Sequence, residues 1–165
     1  MESQERKFRL MLIGRIAVGK TSLCQRINHE DLRYKKTQTI QVVNSDFNMI
    51  DTPGEYLERR MFRGPLMVTS MQSDLIVLLQ SATDDQSMFP PNFATMFPKP
   101  TIGVITKCDI AEEHQIDKAH KYLENAGAKQ IFQVSNVTEE GIDDFISCVS
   151  AYEDQFNEEQ NNKKE

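Results

Sequence analysis

Gly14-Arg15-Ile16-Ala17-Val18-Gly19-Lys20-Thr21 is the stretch on which the reading of this chain turns. Glycine, four residues and then Gly-Lys-Thr is the spacing of a loop that wraps phosphate oxygens. Each residue type has a reason. Gly14 and Gly19 carry no side chain, so the backbone can close on an anion. The N–H groups at the start of the following helix face the phosphates. Lys20 brings positive charge to the β- and γ-phosphates, and the Thr21 hydroxyl can hold Mg²⁺. The positions expected to face a nucleotide are Gly14, Ile16, Ala17, Val18, Gly19, Lys20, Thr21 and Ser22. Such a loop needs a strand before it and a helix after it. Residues 7–13 read as that strand, and 21–29 as that helix, with Leu23 and Ile27 four apart.

Strand and helix patterns then alternate along the chain. Residues 39–43 and 46–50 are short strands joined at Asn44-Ser45, a spacing that suits an antiparallel hairpin. Residues 57–72 are helical in pattern, with a break expected at Gly64-Pro65. Residues 75–79 and 102–105 are unbroken apolar runs, as in strands buried on both faces. Residues 112–126 form a helix with Gly127 where a C-terminal cap belongs, and 131–134 a last strand. In residues 139–156, Ile142, Phe145, Ile146, Val149, Tyr152 and Phe156 make one stripe. The expected fold is α/β: a P-loop NTPase fold, mostly parallel, with an antiparallel edge hairpin and helices on both faces. One domain spans 1–156, and 157–165, which hold no apolar residue, form a disordered polar tail.

Composition agrees with one globular domain. The chain has 165 residues, 39% hydrophobic and 27% charged, so neither a disordered chain nor a coiled coil is favoured. The longest uncharged run is the 13 residues 86–98, which hold three prolines, far from a membrane span. No secretory signal is read at the N-terminus. Cys24, Cys108 and Cys148 are scattered and odd in number, which fits a reducing, cytoplasmic compartment. His29, His114 and His120 show no metal spacing. The net charge of −6 argues against nucleic acid as the partner. It is unevenly spread: residues 1–63 carry +4 and residues 64–165 carry −10. A basic first third on an acidic protein suggests that this third handles an anion.

Further motifs extend the phosphate site. Asp51-Thr52-Pro53-Gly54 follows a strand, so Asp51 can bind Mg²⁺ through water and Gly54 can offer its N–H to a γ-phosphate. Thr106-Lys107-Cys108-Asp109 closes a buried strand and matches a guanine-reading pattern. The Asp109 carboxylate can accept from guanine N1–H and the 2-amino group, donors that adenine lacks there. Loss of such a charged hydrogen bond weakens binding roughly 10- to 100-fold. The Lys107 stem can lie along the base. Ser135-Asn136-Val137 follows the last strand, where a backbone N–H meets guanine O6. Residues 31–39 lie where a γ-phosphate-sensing segment belongs, and Thr37 and Thr39 are both candidates for the metal ligand there.

These motifs in this order resemble a small P-loop GTPase of the Ras-like superfamily. Within it, Asp51-Thr52-Pro53-Gly54-Glu55-Tyr56, Phe89-Pro90-Pro91-Asn92-Phe93, Met96-Phe97-Pro98-Lys99-Pro100 and Ile131-Phe132-Gln133-Val134-Ser135 are similar to the EutP/PduV family of ethanolamine and propanediol utilisation. The resemblance runs over residues 8–151. It implies nucleotide binding, a cytoplasmic or shell-surface place, and association with bacterial microcompartments. It also implies, for some members, acetate kinase activity. Against the Ras-like pattern, Ile16 stands where glycine is common, Glu55 where glutamine orients water, and Thr106 where asparagine braces the base loop. Slow hydrolysis and looser base specificity are the expected results.

The leading expectation is a slow Mg²⁺-dependent GTPase or GTP-binding switch. Its cofactors are Mg²⁺ and GTP or GDP, with ATP as the alternative nucleotide. Lys20, Glu55 and Thr37 are its catalytic candidates, and Thr21, Asp51 and Thr37 hold the metal. The second reading is an acetate kinase, with Arg15 and the Arg59, Arg60 and Arg63 cluster as holders of the acceptor carboxylate; the same cluster could be a solvated helix face. The third is a docking module for a microcompartment shell or a catabolic enzyme, anchored by Phe89, Phe93 and Met96, unless that loop folds into the core.

Overall fold

The computed structural model of the chain describes residues 6–27, 41–43, 48–59, 61 and 63–165. In chain order the elements are β1 (Arg9–Gly14), α1 (Lys20–Ile27), β2 (Gln41–Val43), β3 (Asn48–Asp51), α2 (Glu55–Glu58), α3 (Arg63–Ser70), β4 (Leu75–Ser81), β5 (Thr101–Thr106), α4 (Glu113–Ala126), β6 (Ile131–Gln133) and α5 (Ile142–Asn162). The strands form one sheet in the order β2-β3-β1-β4-β5-β6. β3, β1, β4, β5 and β6 are parallel. β2 pairs antiparallel with β3, Val42 opposite Ile50, and the connecting residues 44–47 lie outside the described residues.

Strand periodicity divides the core into two layers. Leu10 and Leu12 face one side, with Val77, Val104, Leu23 and Ile27 of α1, and Phe145 and Val149 of α5. Met11 and Ile13 face the other, with Ile76, Leu78, Leu57 of α2, Leu66 of α3, and Ala119 and Leu123 of α4. Every residue of β4 is buried, as its unbroken apolar run requires. The α5 stripe packs as expected, with Phe132 edge-on to Phe145 and Phe8 edge-on to Phe156. Gly127 takes the left-handed φ of +97°, and its N–H bonds the Glu124 carbonyl to end α4. Among the described residues no helix is long and apolar enough to cross a membrane.

Two expectations are corrected and one open alternative is decided. The helical pattern of 57–72 breaks between Glu58 and Arg63 rather than at Gly64-Pro65. Pro65 lies in the first turn of α3, where no N–H is needed for an intrahelical bond. The aromatic loop after β4 is core. Phe89, Phe93 and Phe97 are each less than a tenth exposed, and consecutive rings sit 5.4 and 5.3 Å apart. They cover the α4 face of the sheet, so Phe89 and Phe93 are not surface anchors, and Met96 is half-buried. Finally, α5 continues to Asn162, six residues past its last buried side chain, Phe156. Extending an existing helix needs no new nucleus, so polar residues can propagate it into solvent.

Candidate functional site

The parallel sheet brings the carboxyl ends of β1, β3, β5 and β6 to one edge, and the motifs at 14–21, 51–54, 106–109 and 135–137 lie there. β1 ends at Gly14 and α1 begins at Lys20, so the loop between them is held at both ends. A Cβ on Gly14 would meet Val18 Cγ1 at 2.7 Å, which explains the glycine. Ala17 and Gly19 both have positive φ, +62° and +109°. Such left-handed residues within a tight loop curve the backbone into a concave nest of N–H groups, a shape suited to an anion.

Three consecutive carbonyls of this loop are tied to the loops expected to read a base. Lys107 Nζ donates to the Ala17 carbonyl at 2.9 Å. Thr106 Oγ1 donates to the Val18 carbonyl at 2.6 Å. Asn136 Nδ2 donates to the Gly19 carbonyl at 3.3 Å. Across trans peptides the N–H groups of Gly19 and Lys20 point opposite to the Val18 and Gly19 carbonyls, away from these braces. Thr106 therefore keeps the bracing role of an asparagine at this position, with its single proton committed to Val18. Lys107 reaches the loop from a left-handed φ of +60° at the end of β5.

Lys20 is buried, and its ammonium lies across the loop, donating to the carbonyls of Gly14 at 2.7 Å and Arg15 at 3.0 Å. Thr21 and Ser22 occupy the first turn of α1. Asp109 is exposed two residues beyond Lys107. Cys108 is half-buried, and burial pushes its thiol up to about 11, so it stays neutral. Ser135 is fully buried and its Oγ accepts the Thr138 N–H, while Val137 is exposed.

On the other side, the register places Asp51 beside Leu12, two residues before Gly14. Thr52 Oγ1 donates to the Leu12 carbonyl at 2.7 Å and locks the end of β3 to β1. Gly54 rests against the loop: a Cβ there would collide with the backbone of Ile16, whose own side chain is 43% exposed. The side chains of Asp51 and Glu55, all of Thr37 and Thr39, and Arg60 lie outside the described residues. Thr21 in the first turn of α1 and Asp51 at the end of β3 are hard oxygen donors, the ligand type that fits Mg²⁺. Arg15 pairs with Glu58 at 3.4 Å. A shallow surface depression lies beside the loop, bordered by Arg15, Val18, Leu57, Gln80, Ser81 and Asp84 among others. Arg59 is exposed and Arg63 half-exposed, away from any described ion pair.

Sequence reasoning missed Thr52 and Arg26 as parts of this site. A β-branched polar residue ending a strand inside Asp-x-x-Gly is a usable signal for Thr52. Arg26 carries none: it lies near the end of α1, and its Nε donates to the Asn136 carbonyl, 110 residues away.

Residues 7–151 match the PduV-EutP family, described as ethanolamine utilisation–propanediol utilisation. The chain is 38% identical over 145 residues to the propanediol utilization protein PduV of Citrobacter freundii, covering 88% of this chain and 95% of that protein. It is 24% identical over 144 residues to the probable acetate kinase EutP of Escherichia coli, covering 87% and 89% of the two chains. The Salmonella typhimurium protein of the same name is 24% identical over 151 residues, 91% and 94% of the two chains.

Proposed function

The chain belongs to the PduV-EutP family of ethanolamine and propanediol utilisation, and from that premise we propose a Mg²⁺-dependent guanine-nucleotide switch that hydrolyses GTP slowly. The observation that carries this reading is the nest at residues 14–20, whose Ala17, Val18 and Gly19 carbonyls are held by Lys107, Thr106 and Asn136. A loop braced in this way has its N–H groups oriented before a phosphate arrives, which lowers the ordering cost of binding.

Each residue then has a role. Lys20 and the loop amides stabilise phosphate charge. Thr21 and Asp51 would hold Mg²⁺, which when bound supplies charge neutralisation between the β- and γ-phosphates. Asp109 accepts from the guanine edge, and the Lys107 stem lies beside the base. Gly54, against the loop, would report a γ-phosphate through its N–H. Glu55 would orient the attacking water, and Ile16 crowds that water, which makes the turnover slow. The proposed place of action is the cytoplasm, at the surface of a microcompartment.

Single-turnover hydrolysis of Mg²⁺·GTP tests the proposal. We expect a slow rate that rises in Ile16→Gly and is abolished in Lys20→Ala. A parent chain faster than ordinary small GTPases contradicts the role given to Ile16. The relatives named as probable acetate kinases support a second reading, and Arg15 at the rim of the depression is its best acceptor residue. Asp84 on the same rim and the Glu58 partner of Arg15 weigh against a carboxylate there. Acetyl phosphate made from ATP and acetate by the parent, and not by Lys20→Ala, would favour that reading instead.

A further inference from the structure

Asn136 is held on both sides, and neither contact belongs to the base-reading pattern itself. Its side chain is more than nine-tenths buried, with Nδ2 on the Gly19 carbonyl at 3.3 Å. Its own carbonyl accepts from Arg26 Nε. Arg26 is anchored in turn by Glu139, Nη1 to Oε1 at 3.1 Å. The amide orientation of Asn136 follows from chemistry, because only its NH₂ end can face a carbonyl. Its Oδ1 is then left buried with no partner among the described residues. An unpaired buried oxygen is destabilising. What the amide contributes here is the hydrogen bond from Nδ2.

Nδ2 adds a second donor to the last carbonyl of the loop, immediately before Lys20, an oxygen that also accepts the Leu23 N–H at 2.9 Å. Gly19 has no Cβ, and one placed there would lie 3.0 Å from Asn136 Nδ2, so the close approach depends on the glycine. Resting on the nucleotide reading above, we infer that Arg26 and Asn136 are positioning residues that set the phosphate cradle from the base side. Arg26 fixes the loop after β6, that loop presents Asn136, and Asn136, together with the Leu23 N–H on the same oxygen, holds the Gly19–Lys20 peptide with its N–H toward the phosphates. Base and phosphate binding are thereby coupled: a change in the base loop alters affinity for a ligand that never touches it.

Titration of the full chain in Mg²⁺ with two probes, GDP and inorganic tripolyphosphate, tests this, because the second probe has no base. Asn136→Ala and Arg26→Gln are expected to weaken both probes by about three- to tenfold, the range of one lost hydrogen bond. Arg26→Lys keeps one donor for the Asn136 carbonyl and is expected to recover part of the loss. Melting curves separate this from unfolding, and the Arg26 variants, altered at a partly exposed site near the helix end, decide the matter if Asn136→Ala does not fold. Folded variants that bind tripolyphosphate within twofold of the parent overturn the inference, whatever their GDP affinity. A parent that binds GDP but not tripolyphosphate also overturns it, since the cradle would not be preset. A parent that binds neither probe overturns the nucleotide reading itself.

Discussion

The hydroxyl of Thr106 shows how much rests on one atom. It is fully buried and donates to Val18 in the middle of the phosphate loop. Thr106→Val keeps the shape and removes the donor, leaving the Val18 carbonyl without this partner. Loss of about 1–3 kcal/mol of stability in urea unfolding is expected, together with weaker nucleotide binding. No change in either would mean that the brace is incidental. At this scale the sequence was legible where chemistry demands a residue type. Gly14 follows from the close approach of Val18 and Gly19 from its positive φ, and Lys20 lies across the loop where the motif puts it. Arg26 and the Asn136 side chain were not legible, because each matters through a partner more than a hundred residues away. Nothing in their own neighbourhood marks such a contact.

Among the elements, the loop after β4 carries the sharpest prediction. Phe93 stacks at a tilt on Phe89 and edge-on against Phe97, and all three are buried. Phe93→Ala is expected to destabilise the fold by about 3–5 kcal/mol in urea unfolding, as for other buried phenylalanines. A loss below about 1 kcal/mol would return that ring to the surface and revive a docking role for it. The strands were readable because β4 and β5 are buried on both faces and so are apolar throughout. The proline-rich loop stayed open between core and surface, since its aromatic residues reach the core from irregular backbone and leave no period to detect. Pro65 misled for a related reason: a proline pattern reads alike whether it breaks a helix or begins one.

At the scale of the whole molecule, the first third holds the excess of basic residues, and the rest carries the negative charge. The parallel sheet brings residues of both parts to one place. β1, β3, β5 and β6 end at the same edge, so Lys20 and Lys107 reach one loop although 87 residues separate them in the chain. The fold thus brings four separate stretches together at the proposed phosphate and base site. Calorimetric titration of nucleotide-stripped protein with GDP and with ADP, each in Mg²⁺, tests this account most directly. The account predicts that GDP binds at least about tenfold more tightly than ADP, and that Asp109→Ala removes the difference. Equal or tighter binding of ADP, or binding of neither, would contradict it.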